Sequence, residues 1–344
     1  RVDNSVGPPS GDRPDVSIVM PVYNKLDLTK VCVESLHAVP VDNSFELIVI
    51  DNGSTDGSAE WLGAAAEAGR LRYIKNPENR GFAQACNVGA AAAHGRYILF
   101  LNNDMEVLPR WLEPMVSCLD QDPRVAVAGA CLIYGDRTIQ HGGVAMVDCH
   151  RSTPPEIGGV HLCYQRPLEM PGARKNQEMS VVTGACLMIR PEVFAATGGF
   201  DEAYWNGCED VDLCLKVGEL GWKVVYMGDS LLYHHESQSG AQRWTRTQDN
   251  IDRFNRIWRD RAPIDFVQYP GKGYSPTKDN RIRPYVLPSL RSAVAPSDPD
   301  VPRASVIVLT WNALEYTRQC AASLLAHTDP RHELIFVDNG SRTD

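Results

Sequence analysis

Four short apolar runs, each broken off by a polar cluster, constrain this chain more than any other feature. "VSIVMP" (Val16–Pro21) stops at Tyr23 and Asn24. Leu47–Ile50 stops at Asp51, Asn52, Gly53 and Ser54, and Arg72–Ile74 stops at "NPENRGFAQACN". "YILFL" (Tyr97–Leu101) stops at Asn102, Asn103 and Asp104 before Met105 and Val107 resume the apolar pattern. Runs this short and rich in β-branched residues read as buried strands. Helical stretches separate them. Lys25–His37 places Leu28, Val31, Cys32 and Leu36 on one face. Thr55 is placed to cap a helix reaching Ala68. The small-residue helix from Gly81 is expected to end at Gly95. Pro109 suits the first turn of Arg110–Leu119. Strands alternating with helices predict an α/β fold with a doubly wound, mostly parallel sheet.

Such sheets bind ligands at the carboxyl ends of their strands. One polar strand end is ordinary turn chemistry. Four at the same edge predict a shared polar crevice.

Further along, Gly135–Met179 is rich in Gly, Pro and His, lacks periodicity and reads as an irregular insertion. Ser180–Ile189 returns to order. A helix is predicted over Asp210–Leu220, a strand over Lys223–Met227 and a helix over Trp244–Arg259. Ile264–Arg303 reads as a linker. The opening then recurs: "ASVIVLTWNALEYTRQCAASL" from Ala304 echoes Val16 onward, and "HELIFVDNGSRTD" echoes "FELIVIDNGSTD". The predicted organisation is a lead-in (1–15), one domain (16–263), a linker (264–303) and the truncated start of a second domain (304–344).

The net charge of −9 argues against a mainly electrostatic grip on nucleic acid or anionic lipid. No apolar run is long enough to span a membrane. Ten cysteines without regular spacing read as reduced core residues, which predicts a cytoplasmic setting. Cys149, His150, His161 and Cys163 lack zinc-site spacing and read as a loop.

"VSIVMPVYN", "ELIVIDNGSTDGS", "NRGFAQACNVG", "FLNNDMEV" and "GFDEAYWNGCEDVDLCLKVGELGWKVVY" together resemble an inverting family 2 glycosyltransferase of the GT-A fold. The closest flavour is the bacterial rhamnosyltransferase-like branch that builds surface polysaccharides. The resemblance covers Val16 to Arg259 and restarts at Ala304. It implies a nucleotide-sugar donor, UDP- or dTDP-linked, and a saccharide or lipid-linked saccharide acceptor. A lipid-linked acceptor would bring the protein to the inner face of the membrane.

By resemblance, "NND" takes the place of the family's DxD-type motif. Asp104 would hold a divalent ion, Mn²⁺ or Mg²⁺, which prefers hard oxygen ligands. Asn102 stands where many relatives carry the first Asp, and Asn103 sits beside it. Asp51 would accept a hydrogen bond from the base, framed by Pro21, Tyr23 and Asn24, with Asn52 and Ser54 close by. Asn79, Arg80 and Gly81 would line the nucleotide crevice. Arg80 reads equally as a phosphate contact or a surface charge. His234 would complete the metal site; its spacing to Ser239 favours it over His235. Asp210 would be the general base, with Glu209 orienting the acceptor and Asp212 structural. Gly184 and Ala185 would let the acceptor approach the donor. Trp205 reads as an acceptor platform or as core. "GAQRW" fails the spacing of the processive synthases' motif. A nucleotidyltransferase would need a Gly-rich basic loop at the first strand, which "PVYNKLDLTK" is not. A catalytically inactive scaffold is the non-enzyme alternative.

Overall fold

The computed structural model describes residues 13–150, 156–170, 172–235, 245–269 and 273–288, together with the strand courses 304–310 and 332–338. The chain forms two compact units, Arg1–Val286 and Leu287–Asp344.

The first unit opens as its pattern predicts. β1 (Val16–Val22), β2 (Phe45–Asp51), β3 (Arg72–Lys75) and β4 (Tyr97–Leu101) pair in parallel, with β1 central between β2 and β4 and β3 outside β2. Each crossover is a helix: α1 (Leu26–Ala38), α2 (Ser58–Glu67) and α3 (Gly81–Ala91). Val16, Ile18, Val19 and Met20 are fully enclosed, as are Ile48, Val49 and Ile50. Burying each such side chain contributes about 1.5–3 kcal/mol.

The other half of the sheet is mixed, which corrects the expectation of a mostly parallel sheet. β6 (Val125–Ile133) and β12 (Lys223–His234) run parallel to each other. β11 (Cys186–Ile189) runs antiparallel to both β4 and β6 and joins the two halves. β10 (Gln177–Met179) is antiparallel to β12. An apolar run with both faces buried shows its burial in the sequence but not its direction.

Helix ends differ from the sequence reading in several places, and α3 stops at Ala91, short of the expected Gly95. α2 starts at Ser58, where Asp56 Oδ1 accepts from the Ser58 N–H and hydroxyl; Thr55 caps nothing. α4 (Glu113–Gln121) carries Pro114 in its first turn, and Pro109 precedes a turn at Arg110, whose φ is +63°.

The described residues between Gly135 and Met179 form strands rather than an irregular insertion. β7 (Ile139–His141) pairs with β6, and β8 (Val144–Cys149) pairs with β9 (Glu156–His161). β13 (Phe266–Tyr269) joins β8, and β14 (Gly273–Pro276) joins β13. Strands therefore stand where a linker was expected. Asp265 fastens them: its Oδ2 accepts from the Met146 N–H and its Oδ1 from the Arg281 N–H. α5 (Pro191–Ala196), α6 (Glu209–Glu219), α7 (Thr247–Trp258) and the short strands β5 (Met105–Val107) and β15 (Arg283–Pro284) complete the unit.

In the second unit β16 (Ala304–Thr310) and β17 (His332–Asp338) pair in parallel, in the register of β1 with β2. No helix among the described residues is long and apolar enough to cross a membrane. Ser239 and the Gln242–Trp244 stretch lie outside the described residues.

Candidate active site

A cleft of about 430 Å³ opens at the carboxyl edge of β1 and β4. Pro21, Tyr23, Asn52, Asn79 and Gly81 line one part, and Asn102, Asn103 and Asp104 line the next. Gly184, Ala185, Trp205, Glu209, Asp210 and His234 line it as well. Asn24, Asp51, Ser54 and Arg80 do not reach its surface.

Strand pairing brings the distant segments together. β11 is antiparallel to β4, so Cys186 sits opposite Leu101 and the residues before it meet those after Leu101. The Asn102 N–H donates to the Ala185 carbonyl at 3.0 Å. β5 is antiparallel to the end of β12, with Met105 opposite His234, and this sets His234 beside Asp104. The His235 N–H donates to the Asp104 carbonyl at 2.9 Å, while its ring lies 3.4 Å from Glu106, outside the cleft lining.

Asp104 and His234 form the candidate metal pair. Both are more than nine-tenths buried. His234 Nε2 lies 3.1 Å from Asp104 Oδ1, yet that oxygen receives no hydrogen bond. Two potential ligand atoms this close, with no hydrogen bond between them, can share one cation. A buried carboxylate oxygen without a donor is costly to keep. A hard oxygen paired with an imidazole nitrogen suits a divalent cation, so the residues fit the ion that the sequence implies.

Asp210 stands in the first turn of α6. Its Oδ2 accepts from the Gly184 N–H and its Oδ1 from the Val211 N–H, each at 2.8 Å. Each oxygen keeps a lone pair. A Cβ at Gly184 would lie 3.0 Å from Asp210 Cβ, so the glycine lets the backbone come this close. Glu209 is buried, and its Oε2 accepts from the Gly207 N–H at 2.5 Å. Asp212 points away and accepts from Trp258 Nε1 at 2.8 Å, a structural role.

The polar residues of the parallel half bind one another. Asp51 is fully enclosed; Oδ1 accepts from the Ser54 N–H and Oδ2 from the Tyr73 hydroxyl. Burial, then the Asp51 hydrogen bond and charge, push the Tyr73 hydroxyl well above its usual pKa, so it stays a donor. Asn52 is a hub. Its Nδ2 donates to Asn79 Oδ1 and the Gly81 carbonyl, and its Oδ1 accepts from Asn76 Nδ2 and the Arg80 N–H. Asn24 Oδ1 accepts from the Thr55 N–H, and the Asn24 N–H donates to Ser54 Oγ. Asn103 Nδ2 donates to Thr29 Oγ1 on α1. Arg80 is exposed and pairs with Glu78 at 3.3 Å. Gly53 has φ +79°, and a Cβ there would meet Glu78 Cα at 2.9 Å, so only glycine lets these two turns touch.

Trp205 is pinned by Asn250, which bonds both its N–H and its carbonyl. Its ring lies over Gly81, where a Cβ would sit 3.2 Å from it. Arg246 stands 5.1 Å above the ring. The ring thus joins the Asn79–Gly81 turn to the acid-bearing α6 segment.

The sequence reading missed Gln140, His161 and Tyr164, which also line the cleft. All three come from the segment read as irregular. Their only signal was the short continuous apolar run Val144–Val147. His141 and His161 face each other with Nδ1 atoms 3.1 Å apart.

The sequence profile of Glycosyl transferase family 2 matches residues 17–197 and 305–344. The chain belongs to glycosyl transferase family 2. It is 34% identical over 304 residues to uncharacterized protein y4gI of Sinorhizobium fredii, covering 83% of this chain and 32% of that protein. It is 33% identical over 229 residues to the O-antigen biosynthesis protein RfbC of Myxococcus xanthus, covering 66% of this chain and 18% of that one. The N-acetylglucosaminyl-diphospho-decaprenol L-rhamnosyltransferase of Mycobacterium tuberculosis is 24% identical over 226 residues, 59% of this chain and 70% of that enzyme. The chain spans a third or less of the length of the first two relatives. Among solved structures, GalNAc-T7 with UDP, GalNAc and Mn²⁺ superposes with a TM-score of 0.57 at 19% identity, over 73% of this chain and 49% of that one. The family 2 domain thus has the GT-A fold that its motifs imply.

Proposed function

We propose that this family 2 domain transfers a sugar, with inversion, from a UDP- or dTDP-linked donor to a saccharide or lipid-linked saccharide in surface-polysaccharide synthesis. One observation carries the reading. A carboxylate held by two main-chain N–H groups, Asp210, shares one cleft with the buried Asp104–His234 pair. A transferase needs both: a base for the acceptor and a cation site for the leaving diphosphate. The relatives named for O-antigen biosynthesis and rhamnosyl transfer support the substrate class.

The acceptor hydroxyl lies against Asp210. As its oxygen forms a bond to the anomeric carbon, its proton passes to an Asp210 oxygen and the bond from that carbon to the diphosphate breaks. Attack from the face opposite the leaving group inverts the configuration. The Gly184 and Val211 N–H groups fix the carboxylate before the acceptor arrives, so little reorganisation is needed. Asp104 and His234 would hold a divalent cation, Mn²⁺ or Mg²⁺. When bound, that ion supplies charge neutralisation at the diphosphate. Pro21, Tyr23 and Asn52 frame the nucleotide end, while Asp51 keeps the wall in place from behind. Glu209 and Trp205 shape the acceptor side.

The β16–β17 pair is the start of a second domain of the same kind; its register and the second family match support this. The test of the function is transfer from UDP- and dTDP-sugars to saccharide acceptors by the wild type and Asp210→Asn. The reading expects transfer by the wild type only. Equal transfer by the two removes Asp210 as the base.

A further inference from the structure

We infer that Gln140 is the positioning residue that makes His234 a metal ligand. The inference rests on the reading of Asp104 and His234 as cation ligands. Gln140 lies on β7, and β7 and β12 flank β6 on opposite sides, with Leu132 opposite His141 and Tyr233 opposite Ile133. This places Gln140 behind the His234 ring. His234 Nδ1 is 2.5 Å from Gln140 Oε1, and both residues are more than nine-tenths buried.

An amide oxygen can only accept, so Nδ1 must carry the ring proton. Nε2 then presents a lone pair, and it is the nitrogen 3.1 Å from Asp104 Oδ1. A neutral histidine with Nδ1–H engaged and Nε2 open is the form that binds a metal. Gln140 Nε2 has no partner of its own. A buried amide with one end unpaired is expensive and calls for an explanation. Holding one tautomer of His234 provides it. Neither the family resemblance nor the spacing of any motif marks this residue.

The probe is Mn²⁺ binding in the presence of UDP, followed by the loss of the free-ion paramagnetic resonance signal, so no turnover is required. Gln140→Leu removes the acceptor and is expected to weaken Mn²⁺ about ten- to a hundredfold. Gln140→Glu keeps an oxygen against Nδ1 and makes the imidazole a stronger ligand, so its affinity is expected at or above wild type. The pair separates positioning from packing. A packing role makes Glu, a buried charge, the worse replacement; a positioning role makes Leu the worse one. Wild-type affinity in Gln140→Leu, or a loss in Gln140→Glu as large as in Gln140→Leu, overturns the inference while leaving the metal site standing. Should Gln140→Leu not fold, Gln140→Glu decides alone, and a tenfold loss in it overturns the inference. Absence of Mn²⁺ binding by the wild type with UDP would sink the metal-site reading itself, and the inference with it.

Discussion

The two halves of the sheet use their polar residues in opposite ways. In the parallel half, Asp51, Asn52, Asn24 and Asn103 spend their side chains on neighbouring turns, on β3 and on α1. What faces the cleft there is a frame whose polar side chains are already bonded to one another. In the mixed half, single groups are held ready: Asp210 by two N–H donors, and His234 by Gln140 against a donor-less Asp104 oxygen. A nucleotide common to many donors can be held by a rigid frame. Proton transfer and a cation need individual atoms in defined states. Substitutions in the parallel half should therefore cost stability, and those in the mixed half should cost chemistry.

The largest expected effect is on chemistry. Asp210→Asn should lower the transfer rate by about 10²–10⁴-fold, with nucleotide affinity within twofold of wild type and a loss of about 1–3 kcal/mol in unfolding, because one of the two main-chain N–H groups loses its acceptor. If nucleotide affinity falls as far as rate does, the division between the halves fails. Next is Asn52→Ala, which strands the Arg80 N–H and leaves the Asn76 amide with only its bond to Gln84 Oε1. It should cost about 3 kcal/mol in denaturant unfolding, because each buried unpaired group costs about 1–3 kcal/mol. A variant as stable as wild type but defective in catalysis would move Asn52 into the chemical half.

Acid should expose the mixed half. Burial, then the charges of His161 and His234, hold the His141 pKa well below its usual value. Below about pH 6.5 the unfolded chain binds a proton that folded His141 refuses. Stability therefore falls as pH drops below that point, by at most about 1.4 kcal/mol per pH unit. Above it His141 contributes no slope. Denaturant unfolding in chelator between pH 8 and 5 should show a shallower fall for His141→Gln than for wild type. Identical slopes would place the acid sensitivity elsewhere. The smallest effect belongs to Arg80→Ala. Its exposed pair with Glu78 contributes less than about 1 kcal/mol, and nucleotide affinity should stay within twofold; a tenfold loss would make Arg80 a phosphate ligand.

What the sequence made legible follows the same division. The parallel half repeats strand and helix with a clear period, so β1 to β4 and the cleft at their ends could be read directly. Asp104 stood out because an apolar run broke off at three polar residues. Asp210 stood out within a cluster of acids. The engagement of Asp51 with Tyr73 was hidden, because a buried carboxylate and a ligand-facing one look alike in sequence. The direction of β11 was hidden, since apolar runs carry none. Gln140 was hidden most deeply. Its segment lacks period, and its contact with His234 spans 94 positions. Only the pairing of β6 with both β7 and β12 brings the two together.

The most direct test is calorimetric titration of UDP and dTDP, each with and without Mn²⁺, into the wild type and Asp104→Ala. The account predicts binding of at least one nucleotide that is strengthened by Mn²⁺ in the wild type and loses that strengthening in Asp104→Ala. Binding that ignores Mn²⁺, or an Mn²⁺ effect that survives in Asp104→Ala, would contradict it and place the cation away from the Asp104–His234 pair.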